Sequence, residues 1–242
     1  MSSLEFSVVR LDEDWHVHST FSDGADTLAA NIASATERGL CRLGCVDHVR
    51  RDTTYVPDYV AAVVAARASS PVALSIGIEA KLLDRSGALD LPADCDGVDL
   101  VYVADHQFPG ADGPVSPRVV RESIAAGERD PSTVIGELVQ ATVAAMDSHA
   151  ARHRLVLAHL FSIVPKLGLR EDDVPDGALS AIAACAARTG TIVEVSERWR
   201  CPSARMIRAC VSAGVPVVAS TDSHRATDIA RYDYVRAASE AA

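Results

Sequence analysis

Seven short runs of β-branched and aliphatic residues recur along this 242-residue chain, most of them separated by alanine-rich stretches with helical spacing. They are WHVHS, LGCVDHV, VALSIGIEAKLL, DLVYVADH, RLVLAHL, TIVEVSE and VPVVASTDSH. Their near-continuous apolar content reads as strands buried on both faces. Strand, helix, strand repeated about seven times implies parallel strands joined by crossover helices. Asp26 is placed to cap a helix in which Leu28, Ile32 and Ala35 share a face, with Gly39 at its end. Pro57 suits a first helical position ahead of Val60, Val63 and Val64. Leu179, Ile182 and Ala186 line a helix closing at Gly190, and Pro202 opens one through Ile207 and Val211 to Gly214. The Pro/Gly-rich stretch QFPGADGPVSPR reads as a loop after a strand end. No linker, fixed-period repeat or low-complexity tract divides the chain, so a single α/β barrel domain over residues 1–242 is expected.

The ends of these runs carry the chemistry. His16 and His18 alternate within one strand and so share a face. The other run ends carry His48 after Asp47, then Glu79, His106, His159, Glu194, and finally Asp222 and His224. Six of the eight histidines lie at strand ends. In a closed parallel barrel all strand C-termini meet at one rim, where such folds place their active sites. Imidazoles and carboxylates converging there are costly to desolvate unless divalent cations bind them, and zinc, manganese and iron are the natural choices. Asp47 alternates away from His48 and reads as a hydrogen-bonding support rather than a ligand, and Glu194 similarly. His149 and His153 have helical i, i+4 spacing but basic neighbours, and read as a solvated helix face.

Composition bears on the classes of partner. A net charge of −10 and 5% aromatic residues weigh against nucleic-acid and anionic-membrane partners. No apolar run approaches 18 residues, and no secretory signal is evident at the N-terminus. The six cysteines contain no Cys-x-x-Cys pair and mostly sit in apolar stretches, so reduced, buried thiols in a cytoplasmic protein are expected.

The order of these elements resembles the polymerase-and-histidinol-phosphatase (PHP) family. It runs His16-Val17-His18 with Ser22-Asp23-Gly24, Asp47-His48, Gly77-Ile78-Glu79, two separated histidines, Glu194 and Ser220-Thr221-Asp222-Ser223-His224, from about residue 14 to about residue 228. The resemblance implies a distorted (β/α)7 TIM-like barrel with two to three divalent metal ions. It implies a first ion on His16, His18, Glu79 and Asp222, a second on Glu79, His106 and His159, and a third on Asp23, His48 and His224. The sequence departs from the common pattern at Ala104, two residues before His106 in the run Val103-Ala104-Asp105-His106, at Ser196, two residues after Glu194, and at Leu160 after His159.

The expected reaction is hydrolysis of a small-molecule phosphate monoester by a metal-activated water, with histidinol phosphate the best single candidate. Glu79, Asp222 and His224 are the expected catalytic ligands, and Lys166, Arg198 and Arg225 the expected substrate contacts. Ser19 and Ser223 sit among ligands with no free histidine base, which argues against a serine nucleophile. A nucleotide or oligonucleotide phosphodiesterase is the alternative, and a non-enzymatic metal-binding module a third reading.

Overall fold

In the computed structural model, which describes residues 9–242, seven parallel strands follow one another around a nearly closed barrel. They are β1 (Glu13–Val17), β2 (Arg42–Val49), β3 (Ala73–Lys81), β4 (Leu100–Ala104), β7 (Leu155–Ala158), β8 (Ile192–Ser196) and β9 (Val217–Ser220). Between β4 and β7 lies a two-residue-per-strand antiparallel hairpin of β5 (Phe108–Pro109) and β6 (Pro114–Val115). The helices are α1 (Leu28–Glu37), α2 (Val56–Arg67), α3 (Pro117–Ala125), α4 (Pro131–His149), α5 (Asp176–Thr189), α6 (Ala204–Ser212) and α7 (Tyr234–Glu240).

Three apolar clusters hold this architecture, one of them packing Ile207 of α6 and Val235 and Ala238 of α7 on Val195 and Ala219 of β8 and β9. The largest packs the helices on the outer face of the sheet, with Ile76, Ile78 and Leu157 meeting α2, α4 and α5 residues such as Tyr59, Leu138 and Ile182. Another fills the barrel interior with Val46, Leu100, Tyr102, Val156, Ile192 and Val218 around Trp15. Seven strands enclose little space, and two interior glycines make room. A Cβ on Gly44 would lie 2.0 Å from the Trp15 carbonyl oxygen, and one on Gly77 2.7 Å from the Tyr102 ring.

The barrel closes irregularly between β1 and β9. One bridge joins Val17 to Ser223, flanked by His18 N–H donating to the Ser223 carbonyl at 2.8 Å. Asp14 completes the seam: its buried carboxylate accepts from Thr221 N–H at 3.0 Å, the Thr221 hydroxyl, and Ala230 N–H at 3.0 Å. Burial pushes the Asp14 pKa up to about 6 against these donors.

Several local expectations are corrected. Thr27, not Asp26, caps α1 by accepting from Ala30 N–H, while Asp26 accepts from Ala226 N–H and ties the loop after β1 to the segment after β9. The buried face of α2 is Val56, Tyr59 and Val63, whereas Val64 is exposed. Val211 on α6 is also exposed. The Pro/Gly-rich loop folds into the β5–β6 hairpin and the start of α3. All six cysteines are free, but Cys41 is exposed and Cys95 half-buried. Among the described residues no helix is long and apolar enough to cross a membrane.

Candidate metal centre

Parallel register brings the ligand-type residues together at the C-terminal ends of the strands. The pairing of β2 with β3 sets His48 beside Glu79. Glu79, 2% exposed, is the hub. Its Oε1 lies 2.9 Å from His159 Nε2 and 3.1 Å from His106 Nε2. Its Oε2 lies 2.8 Å from His48 Nδ1 and 3.5 Å from both His16 Nε2 and His18 Nε2. Asp222 Oδ1 stands 3.0 Å from His18 Nε2. Asp23 faces His224 Nε2 at 3.3 Å and His48 Nε2 at 3.4 Å.

Among the described residues, three groups have ligand atoms close enough to hold an ion: His16, His18 and Asp222; His48, Glu79 and His106; and His18, Asp23, His48 and His224. These groups overlap the sets implied by resemblance: His16, His18 and Asp222 stand together, as do Asp23, His48 and His224, and Glu79 with His106. His18 and His48 each belong to two groups, and His159 lies outside all three although it touches Glu79.

The donor chemistry fits cations. His16 Nε2, His18 Nδ1 and Glu79 Oε2 are buried and make no well-directed hydrogen bond, Glu79 Oε2 meeting His48 Nδ1 at 2.8 Å outside hydrogen-bond geometry. Leaving such atoms unsatisfied costs about 1–3 kcal/mol each, and a bound cation removes that cost. The charge balance points the same way. Burial opposes ionisation of Glu79, yet His16, with His106 and His159 hydrogen-bonded to it, holds its carboxyl well below the usual range. Burial also opposes a charge on His159, but Asp105 and Glu79 raise its pKa to about 10. Burial pushes His18 down to about 4. The carboxylates demand nearby positive charge, which protons or metal ions can supply.

Surrounding groups orient these ligands. The Glu194 carboxylate accepts from His16 Nδ1 at 2.9 Å and from His159 N–H at 2.7 Å, leaving His16 Nε2 bare toward Glu79. Ser162 donates to Asp105 at 2.6 Å, so His159 Nδ1, 2.9 Å away, donates to the Ser162 oxygen, and Nε2 is left pointing at Glu79, where a proton or a cation would lie between them. Asp47 takes no part in the three groups. It accepts from Ser19 and Ser22, holding the loop that carries Asp23. The backbone is left-handed at His159 (φ 31°) and Asp222 (φ 49°), an unfavourable conformation for non-glycine residues that the packing here enforces.

Above the cluster opens a cavity of about 580 Å³, lined by His48, Glu79, His106, Asp222 and His224 together with Arg50, Lys81, Gln107, Arg198 and Trp199. Arg198 donates to His224 Nδ1 at 2.6 Å and to the Asp222 carbonyl at 3.3 Å. Lys166 does not line this cavity; its Nζ sits 4.1 Å from the centre of the Trp199 ring. Arg225 is exposed and lines a neighbouring cleft with Asp228 and Arg231. His149 is half-buried, with Nε2 on the Gly87 carbonyl at 3.2 Å, and His153 lies beyond the end of α4, so the pair does not form one helix face. Trp199, Asp105, Asp14, Arg50 and Lys81 were not singled out from sequence. The alternation that selects His48 and Glu79 also selects Arg50 and Lys81, but Trp199, Asp105 and Asp14 depend on partners far away in the chain.

No family model matches the chain, and no curated protein matches it by sequence. Solved structures do. One is histidinol phosphate phosphatase from Lactococcus lactis, determined with zinc, L-histidinol and phosphate: TM-score 0.70 and 15% identity over 95% of this chain and 91% of that one. Another, assigned as a histidinol phosphatase of Listeria monocytogenes, has a TM-score of 0.56 and 12% identity over 90% of this chain and 97% of that one. At these identities the likeness is one of architecture, and the chain has the distorted (β/α)7 barrel fold of the histidinol phosphatase structures.

Proposed function

We propose that this protein is a metal-dependent phosphoesterase of the PHP type that hydrolyses small-molecule phosphate monoesters. One observation carries the reading: buried ligand atoms of His16, His18 and Glu79 that make no well-directed hydrogen bond lie among further imidazoles and carboxylates at the floor of an open cavity. The likeness to a phosphatase solved with zinc and phosphate supports it.

His16, His18, Asp23, His48, Glu79, His106, His159, Asp222 and His224 would hold two or three divalent ions, zinc, manganese or iron. When bound, such ions polarise phosphoryl oxygens, generate a nucleophile from water near neutral pH and stabilise the departing oxygen. The chain's own groups prepare the site. Glu79, between imidazoles on both of its oxygens, would hold neighbouring ions at a fixed separation. Asp222 and His224 are locked by Trp199, His18 and Arg198. Glu194 and the Asp105–Ser162 pair hold two imidazoles with Nε2 toward Glu79. Arg198, the one expected substrate contact lining the cavity, is placed to neutralise a phosphoryl oxygen. The serine hydroxyls are committed elsewhere, Ser19 to Asp47 and Ser223 to Thr221, so water is the nucleophile. Free thiols at all six cysteines support a reducing, cytoplasmic setting.

The test is phosphate release by the metal-supplemented protein from histidinol phosphate, other monoesters, bis-p-nitrophenyl phosphate and short single-stranded DNA. Monoesters are expected to turn over far faster than diesters. Preference for the diester or the DNA by a wide margin would replace this reading with a phosphodiesterase.

A further inference from the structure

The phosphoesterase reading leaves the nature of the leaving group open, and the cavity wall opposite Arg198 bears on it. In the paired register of β2 and β3, His48 faces Glu79 and Val49 faces Ala80. Continuing the alternation by two residues puts Arg50 on the His48 side and Lys81 on the Glu79 side, one layer nearer the mouth. Both line the cavity. The neighbour of Lys81 on β4 is Ala104, whose small side chain leaves room beside the lysine.

Neither Arg50 nor Lys81 has a carboxylate within ion-pair distance among the described residues. Other cations of this acidic chain do: Arg67 pairs with Asp99, Arg129 with Glu137 and Arg205 with Asp176. Among the described residues, the only carboxylates lining the cavity are Asp23, Glu79 and Asp222, all within the candidate metal groups. Nothing negative remains to receive a cationic leaving group, and an ammonium there would meet two like charges. The strand order places this wall across the barrel from Arg198. β8, which Arg198 follows, is three strands from β3 by way of β4 and β7, and three from β2 by way of β1 and β9.

We propose that Arg50 and Lys81 form a second anion subsite, so that the substrate is a phosphate monoester whose leaving group carries its own carboxylate or phosphate. The reacting phosphoryl group lies toward Arg198 and the distal anion toward Arg50 and Lys81. This rests on the phosphoesterase reading and narrows its substrate class away from amino-alcohol phosphates.

The experiment uses matched pairs on the full-length, manganese-supplemented protein. Glycerol 1-phosphate is compared with 3-phosphoglycerate, which adds a carboxylate, and glucose 6-phosphate with glucose 1,6-bisphosphate, which adds a phosphate. Histidinol phosphate is the cationic comparison. The doubly anionic member of at least one pair is expected to have a kcat/KM about tenfold higher, mostly through KM, the size of one charge-assisted hydrogen bond. Which pair responds identifies the distal anion. Lys81→Met and Arg50→Gln are expected to reduce that preference about tenfold. Ligand-induced shifts in Tm, read on the same compounds and variants, follow the subsite without turnover. Absence of phosphate release from every monoester would count against the phosphoesterase reading, while the Tm shifts still decide the subsite. Equal shifts within both pairs, or a preference for the doubly anionic compounds that survives both substitutions, would overturn the proposal, as would a best response to histidinol phosphate.

Discussion

Trp199 donates its indole N–H to Asp222 Oδ2 at 2.6 Å, while Oδ1 of the same carboxylate faces His18 Nε2 at 3.0 Å. The carboxylate is therefore held from both sides, on a residue whose backbone is already left-handed. Trp199→Phe keeps a ring beneath Lys166 but removes the donor. Groups that orient a ligand in this way are worth about 10–100-fold in metal affinity. Trp199→Phe is expected to bind manganese or zinc that much more weakly in a chelator-competition titration. Unchanged affinity would show that Trp199 only packs.

Strand alternation made the ligand-type residues legible in the sequence, because a parallel barrel gathers every strand end at one rim. His16, His18, Glu79 and Asp222 could be chosen without knowing which strands pair. Trp199, Asp105 and Asp14 could not, because each acts on a side chain or backbone group 23 to 207 positions away. The start of α1 differs from its sequence expectation for a related reason. Asp26 has a good capping side chain but spends it on Ala226, leaving Thr27 to cap α1. Sequence order likewise favoured Lys166 as a phosphate contact, although its ammonium lies on the Trp199 ring and Arg198 lines the cavity.

Glu79→Gln is expected to lower kcat by at least ~10³-fold. It replaces a carboxylate oxygen with an amide N–H facing imidazole nitrogens that need to present lone pairs. His149→Ala removes the bond to the Gly87 carbonyl and is expected to cost about 0.5–1.5 kcal/mol of stability with little change in kcat/KM. A His149→Ala variant as inactive as Glu79→Gln would require the candidate site to be redrawn.

Arg198→Ala and Lys166→Ala separate the two candidate phosphate contacts. Loss of one preorganised charged donor costs ~10²-fold in kcat/KM, and that loss is expected at Arg198. Lys166→Ala is expected to cost less than tenfold, by loosening Trp199 through the lost cation–π contact. Steady-state kinetics on a single monoester give the order, and a reversed order would assign the phosphate to Lys166.

Chelation should destabilise the fold as well as stop turnover, because His16 Nε2, His18 Nδ1 and Glu79 Oε2 are buried without a well-directed hydrogen bond. A cation at about 1,000 times its Kd adds about 4 kcal/mol through linkage. Adding manganese or zinc to chelator-treated protein is expected to raise Tm by several degrees. Substituting His16→Ala should abolish most of that rise, whereas an equal rise in the variant would place the binding elsewhere.

The pH dependence of stability has a contribution far from the metal groups. Glu171 reaches across to Ser203, the residue that precedes α6, and accepts from its N–H at 2.8 and 2.9 Å and from its hydroxyl at 2.6 Å. Burial nonetheless outweighs these donors and raises its pKa above the ordinary 4.5. The folded state thus binds this proton more tightly than the unfolded chain does. The stabilisation is fully present below pH 4.5 and is lost as pH rises through the folded pKa. Glu171→Gln keeps an acceptor for Ser203 but cannot ionise. Urea unfolding of both proteins, at fixed metal concentration from pH 4.5 to 7.5, isolates this contribution as their difference. The wild-type chain is expected to lose stability relative to Glu171→Gln as pH rises across that window. A flat difference, or a relative gain by the wild type, would mean that the Ser203 donors outweigh burial.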